Sequence, residues 1–180
     1  MNVRRTGPTM MIESAIAILK DNRLASLATS RPDGWPHCTM VGIANEALRI
    51  YFVVSRTSEK LLDIMNDDRV SLAVGRDVID PASIKALSIS ARASEISDDK
   101  ERRRVVRLLL EKRPALDRLE EPHLERSAVM IAIPEVIRLL DYSKGYGHST
   151  LLKLGKDGHL LGAEEQQHDW GYGDTFKPVI

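Results

Sequence analysis

The residues with the clearest chemical potential lie together in one six-residue run, Ser55-Arg56-Thr57-Ser58-Glu59-Lys60. Hydroxyls, a guanidinium and an ammonium occur there where a strand-like apolar stretch gives way to a helical pattern. A helix start leaves several backbone N–H groups without partners and carries positive potential. Hydroxyls and cations added to such a start make a phosphate-binding arrangement. The same residues also suit simple helix capping by Thr57 or Ser58, with solvated charges around the cap.

A second run, Trp35-Pro36-His37-Cys38-Thr39-Met40-Val41-Gly42, has strand character. On a strand, His37, Thr39 and Val41 share one face and Cys38, Met40 and Gly42 the other. Gly42 would let a flat ligand come close to the backbone, although a strand glycine also has purely structural causes. Cys38 is expected to be a small buried residue rather than a nucleophile. His37 and Cys38 lack further ligands at useful spacing, so no metal site is expected. A third group, Tyr142, Tyr146 and His148, falls in a glycine-bearing segment. It reads equally as a functional loop and as a structural turn. Lys100, Arg102, Arg103, Arg104 and Arg107 alternate with Asp98, Asp99 and Glu101, which fits a solvated helix face.

The elements that must position these groups follow from periodicity. Met11, Ile12, Ala15, Ile16 and Leu19 recur at helical spacing, and Asn22 ends that helix. Strands are expected over 24–30, 36–44 and 48–54, with a tight turn at Arg31-Pro32-Asp33-Gly34-Trp35. A short helix over 57–65 follows, then strands over 69–74 and 84–96. Ser97-Asp98-Asp99 starts a helix running to about Lys112, and Pro114 to Pro122 bounds a second short one. Two strands, 128–133 and 136–142, are separated at Pro134, and a hairpin is expected over 153–161 around Asp157-Gly158. The remainder, from Gln166 to Ile180, reads as an irregular tail. Hairpin-linked strands with few helices predict a mainly β fold with flanking helices, an antiparallel small barrel. Residues 1–150 are expected to form the barrel domain, with 151–180 a hairpin and tail packed on it.

With 180 residues, 26 basic and 26 acidic side chains, the chain can bury a core and carries no net charge. That balance argues against nucleic acid as the main partner. One cysteine allows no internal disulfide and suits a reducing, cytoplasmic setting. No apolar run reaches the roughly 20 residues of a membrane span, and the two early arginines precede no signal-peptide core.

Taken in order, Leu24-Ala25-Ser26-Leu27-Ala28-Thr29, Gly34-Trp35-Pro36-His37, Ile50 to Lys60 and Asp68-Arg69-Val70-Ser71-Leu72 resemble the pyridoxamine 5′-phosphate oxidase-like, FMN-binding split-barrel superfamily. The late segment Asp141 to His148 is similar to one found in a subset of it. The resemblance implies an antiparallel split β-barrel and a homodimer holding FMN at the subunit interface. It implies ring contacts from Thr39, Met40, Val41, Gly42, Val53 and Val54, and phosphate contacts from Ser55, Arg56, Ser58 and Lys60. Lys85 is implied to lie near the ring edge, and His148 and Tyr146 are expected as catalytic groups reaching the flavin from the partner subunit, with Trp170 beside them. Two departures, Thr39 and Glu59 where the true oxidase has arginine, argue against pyridoxamine-phosphate oxidation. The implied activity is flavin-dependent oxidoreduction of a small or aromatic substrate. The alternatives are a non-catalytic binder or sensor of FMN or another planar cofactor such as haem, and a reductase using F420.

Overall fold

The computed structural model describes residues 7–112, 125–169 and 171. The short helix expected between Pro114 and Pro122, most of the tail and Trp170 lie outside the described residues. Helix α1 (Gly7–Asp21) leads into a hairpin of β1 (Leu24–Ser30) and β2 (Pro36–Glu46), then β3 (Arg49–Ser55). Helix α2 (Glu59–Asn66), β4 (Arg69–Gly75) and β5 (Lys85–Glu95) follow, then α3 (Asp99–Glu111). The chain continues as β6 (Ser127–Asp141), β7 (His148–Leu154) and β8 (Leu160–Gln167).

All ladders are antiparallel, in the order β3-β2-β1-β4-β5-β6-β7-β8, and a further β3–β6 pairing closes β1 to β6 into a six-stranded barrel. Strand alternation sends Leu27, Val41, Ile43, Ile50, Phe52, Leu72, Ile89 and Met130 inward to one core. Helix α1 adds Ala15, Ile18 and Leu19 to that core, and α2 adds Leu61 and Ile64. Asp98 caps α3 by accepting from the Glu101 N–H at 2.8 Å, as the Ser-Asp-Asp start predicts. Helix α3 covers a second, outer cluster of Ala44, Tyr51 and Val129 with Val105, Val106 and Leu109.

Two elements differ from the sequence expectation. The strands on either side of Pro134 are one 15-residue strand, β6. Its first part pairs with β3 up to Ala132, and its last part pairs with β7 from Val136. Pro134 sits at the exchange, where the β5–β6 register also shifts, and there a missing N–H costs no ladder bond. The hairpin around Asp157-Gly158 begins earlier than the turn signal shows, because β7 starts at His148.

The barrel wall is unevenly covered. On β4 and β5, Ser71, Ala73, Ser88 and Ser90 face outward and are exposed. On β2, separated from β4 by β1, Met40 stands 58% exposed. These side chains form a flat apron of small residues without a helix over it among the described residues.

Candidate functional site

The β2–β3 ladder runs from Glu46↔Arg49 to Ile43↔Phe52 and stops. Beyond it, β2 continues paired to β1 as far as Pro36, while β3 continues paired to β6 as far as Ser55. The barrel is therefore split between β2 and β3 over the stretch holding Thr39, Met40, Val41, Gly42, Val53 and Val54. Backbone groups alternate sides along an antiparallel strand. The Ile43 N–H donates to the Arg23 carbonyl on the β1 side, and the Arg56 N–H donates to the Arg126 carbonyl on the β6 side. Met40 and Gly42 on β2, and Val53 and Ser55 on β3, consequently aim their backbone groups into the split. Thr39, Val41 and Val54 turn theirs toward the ladders, and Val41 and Val54 are buried in the core.

At the mouth of the split, β3 hands over to α2. Ser58 occupies the N-cap position but its side chain makes no cap bond. Its Oγ donates instead to the Ser55 carbonyl at 2.7 Å, and the Ser55 and Thr57 hydroxyls lie 2.9 Å apart. The capping expected of Thr57 or Ser58 is thus not made by either side chain, which leaves the helix start to outside acceptors. Lys60 is half-buried and makes no ion pair among the described residues. Arg56 is engaged: its Nη2 and Nη1 donate to the Glu95 carboxylate at 2.5 and 3.3 Å. An anion at this mouth meets Lys60 directly but must draw Arg56 away from Glu95.

Sequence reasoning missed one cluster at the same mouth. Thr29 Oγ1 donates to Asp63 Oδ2 at 2.7 Å, and His37 Nδ1 lies 2.8 Å from the same oxygen. Asp63 is only 3% exposed. Burial opposes its ionisation, but the hydrogen bonds from His37 and Thr29 outweigh that and hold its carboxyl below the ordinary value. An ionised carboxylate only accepts, so His37 Nδ1 carries the donated proton. The available signal was a carboxylate lying between Leu61 and Ile64, on the apolar face of a short helix.

This cluster links stability to pH. Its folded-state carboxyl titrates below the unfolded value, so the stabilisation is complete above about pH 3.9 and disappears as pH falls through the lower folded pKa. Asp63→Asn should lower stability at pH 7 and flatten the decline seen on acidification below about pH 4. Urea midpoints at both pH values check this, and an unchanged acid-side slope would contradict it.

The remaining candidates are elsewhere in the subunit. Lys85 begins β5 and lies 3.8 Å from Asp141, whereas Glu95, the Arg56 partner, ends β5. They stand at opposite ends of the 11-residue strand, roughly 30 Å apart. Tyr142 to Lys144 form a single 3-10 turn whose Tyr142 N–H donates to the Ile84 carbonyl, so this segment belongs to the Lys85 end. Tyr146 packs on Tyr142 with ring centroids 5.1 Å apart. His148 is the first residue of β7, buried, with Nε2 4.0 Å from Glu165 Oε1. One subunit therefore does not bring Lys85, Tyr146 or His148 to the split. Cys38 is exposed rather than buried, because its side chain is on the outward face of β2.

A family model described as pyridoxamine 5′-phosphate oxidase matches residues 11–141. Among solved structures, a pyridoxamine 5′-phosphate oxidase-related, FMN binding protein from Nostoc punctiforme is similar at TM-score 0.67 and 14% identity, covering 91% of this chain and 98% of that one. A heme binding protein from Mycobacterium smegmatis is similar at TM-score 0.68 and 19% identity, covering 84% of this chain and 60% of that one. General Stress Protein 26 from Bacillus anthracis is similar at TM-score 0.59 and 23% identity, covering 73% of this chain and 94% of that one. At these identities the likeness is one of fold. No curated protein matches the chain at a significant level.

Proposed function

This chain belongs to the pyridoxamine 5′-phosphate oxidase family, and from that membership we propose that it binds FMN in the β2–β3 split and acts as a flavin-dependent oxidoreductase on a small or aromatic substrate. The observation that carries the proposal is the join of an open strand edge to an uncapped helix start. A flat ring needs the first, and a phosphate needs the second.

The residues fit FMN as follows. Met40, Gly42 and Val53 offer backbone donors and acceptors to the polar edge of a ring. Thr39, Val41 and Val54 hold the strands that carry them. Ser55, Ser58 and Lys60 cradle the phosphate, and Arg56 joins once released from Glu95. A bound flavin supplies the electron-transfer chemistry, while the protein orients it and shields it from water. The barrel interior is filled by side chains, so a flat cofactor in the split lies outside it and a second copy of the chain covers it, with the exposed residues of β2, β4 and β5 as the surface for that copy. Lys85, Tyr146 and His148 reach the cofactor only from that second subunit. In that position His148 serves as a proton donor or orienting group, since imidazole chemistry suits work near neutrality. No described helix is long and apolar enough to cross a membrane, and we place the protein in the cytoplasm.

The fold likeness to a heme binding protein favours haem as a second reading. The absorbance spectrum of purified protein separates the two, and mass spectrometry of the released ligand names it. FMN is expected. A Soret band with released haem supports the second reading, and a mass matching F420 would point to a deazaflavin enzyme instead.

A further inference from the structure

We propose that His37, held by Asp63, is a positioning residue that fixes the α2 helix start at the mouth of the split and so sets affinity for the phosphate end of the cofactor. This rests on the FMN reading above. Three elements meet at a single carboxylate oxygen: β1 through Thr29, β2 through His37 and α2 through Asp63. Asp63 lies one turn after Lys60 on the same helix, so the two side chains are neighbours about 5–6 Å apart at Cβ. His37 precedes Thr39 by two residues on the same strand face, roughly 7 Å away. The His37–Asp63 bond therefore ties the lysine-bearing turn of α2 to the very strand whose edge lines the split.

The charged surroundings are asymmetric. Arg31, in the β1–β2 turn, contributes favourably to the Asp63 charge from outside and is itself paired with Asp33 at 2.9 Å. Asp63 Oδ2 already accepts from Thr29 and His37, and its negative charge repels a phosphate, which excludes it as a direct contact for that anion. Its effect must pass through the position of α2. His37 has 22% of its side chain exposed and Asp63 only 4%, so the bond is shielded and rigid enough to hold register.

A positioning role makes a specific demand: the phosphate should feel it and the ring should not. The test compares FMN with riboflavin, which has the same ring without phosphate, by fluorescence titration of the intact protein. His37→Ala should weaken FMN binding at least about tenfold, the scale of one charge-assisted contact, while riboflavin affinity changes less than about twofold. His37→Asn places an amide nitrogen where Nδ1 sits and should restore most of the FMN affinity. Lys60→Ala is the control for the reading beneath. If Lys60→Ala discriminates FMN from riboflavin and His37→Ala does not, the positioning role is overturned alone. If neither variant discriminates, the phosphate is not at this mouth and both fall. Should His37→Ala fail to fold, His37→Asn and Asp63→Asn carry the same comparison, and equal losses for FMN and riboflavin in them overturn the role.

Discussion

Replacing Arg56 and Lys60 together with alanine weakens FMN binding by at least about a hundredfold and leaves the fold intact. Each is positioned to make a charge-assisted contact with phosphate, worth about 1.5–3 kcal/mol, and two such losses amount to two or more orders of magnitude in Kd. The single variants should not contribute equally. Lys60 meets no competing carboxylate among the described residues, whereas Arg56 must leave Glu95. Lys60→Ala is therefore the more damaging single change, and Glu95→Gln should tighten FMN binding by freeing Arg56. Stability should hardly move, because an exposed ion pair such as Arg56–Glu95 contributes about 0–1 kcal/mol. Fluorescence titration with urea denaturation checks both halves. Unchanged affinity in a folded double variant shows that the phosphate binds elsewhere.

Charging the apron on β4 and β5 should convert the proposed dimer to a monomer. Ala73 and Ser90 are exposed, outward-facing and on adjacent strands. They are not directly opposite, since Ala73 faces Ser88 and Ser71 faces Ser90. Ala73→Arg with Ser90→Arg thus adds two charges without a facing repulsive pair inside one chain. At a two-fold interface the pair becomes four charges, and each unpaired buried charge costs several kcal/mol. An interface burying well over about 1,000 Å² does not survive that. Sedimentation equilibrium at micromolar concentration should show a dimer for the parent and a monomer for the variant, with cofactor affinity falling alongside. A dimeric variant, or a monomeric parent, would contradict the placement of the second copy.

The amphipathic and alternating patterns were enough to read the barrel from the sequence. Ile50, Phe52 and Val54 alternate inward as their spacing predicts, and Asp98 caps α3 as its neighbours predict. Pro134 misled, because a proline at a register shift leaves no ladder bond unmade and need not end a strand. The candidate phosphate cluster could be singled out in the sequence because its hydroxyls and cations are contiguous. The split was expected only through the family resemblance, since strand pairing is a long-range choice that no local residue announces. Asp63, Thr29 and His37 were equally hidden: they are separated by 34 and 26 residues from one another's partner, and only the closed barrel brings them to one oxygen. Glu95 was hidden for the same reason, 39 positions along the chain from Arg56.

The most direct measurement is a crystal structure of the protein grown with FMN. The expected result places phosphate oxygens within about 2.7–3.2 Å of Lys60 Nζ and the α2 backbone N–H groups, the ring along Met40, Gly42 and Val53, and a second copy over it. Tyr146 or His148 of that copy then approaches the ring. A phosphate bound away from the start of α2, or a ring lying outside the β2–β3 split, would contradict the proposed site. Tyr146 and His148 both lying beyond about 10 Å from either ring, well outside hydrogen-bond reach, would remove their proposed catalytic role.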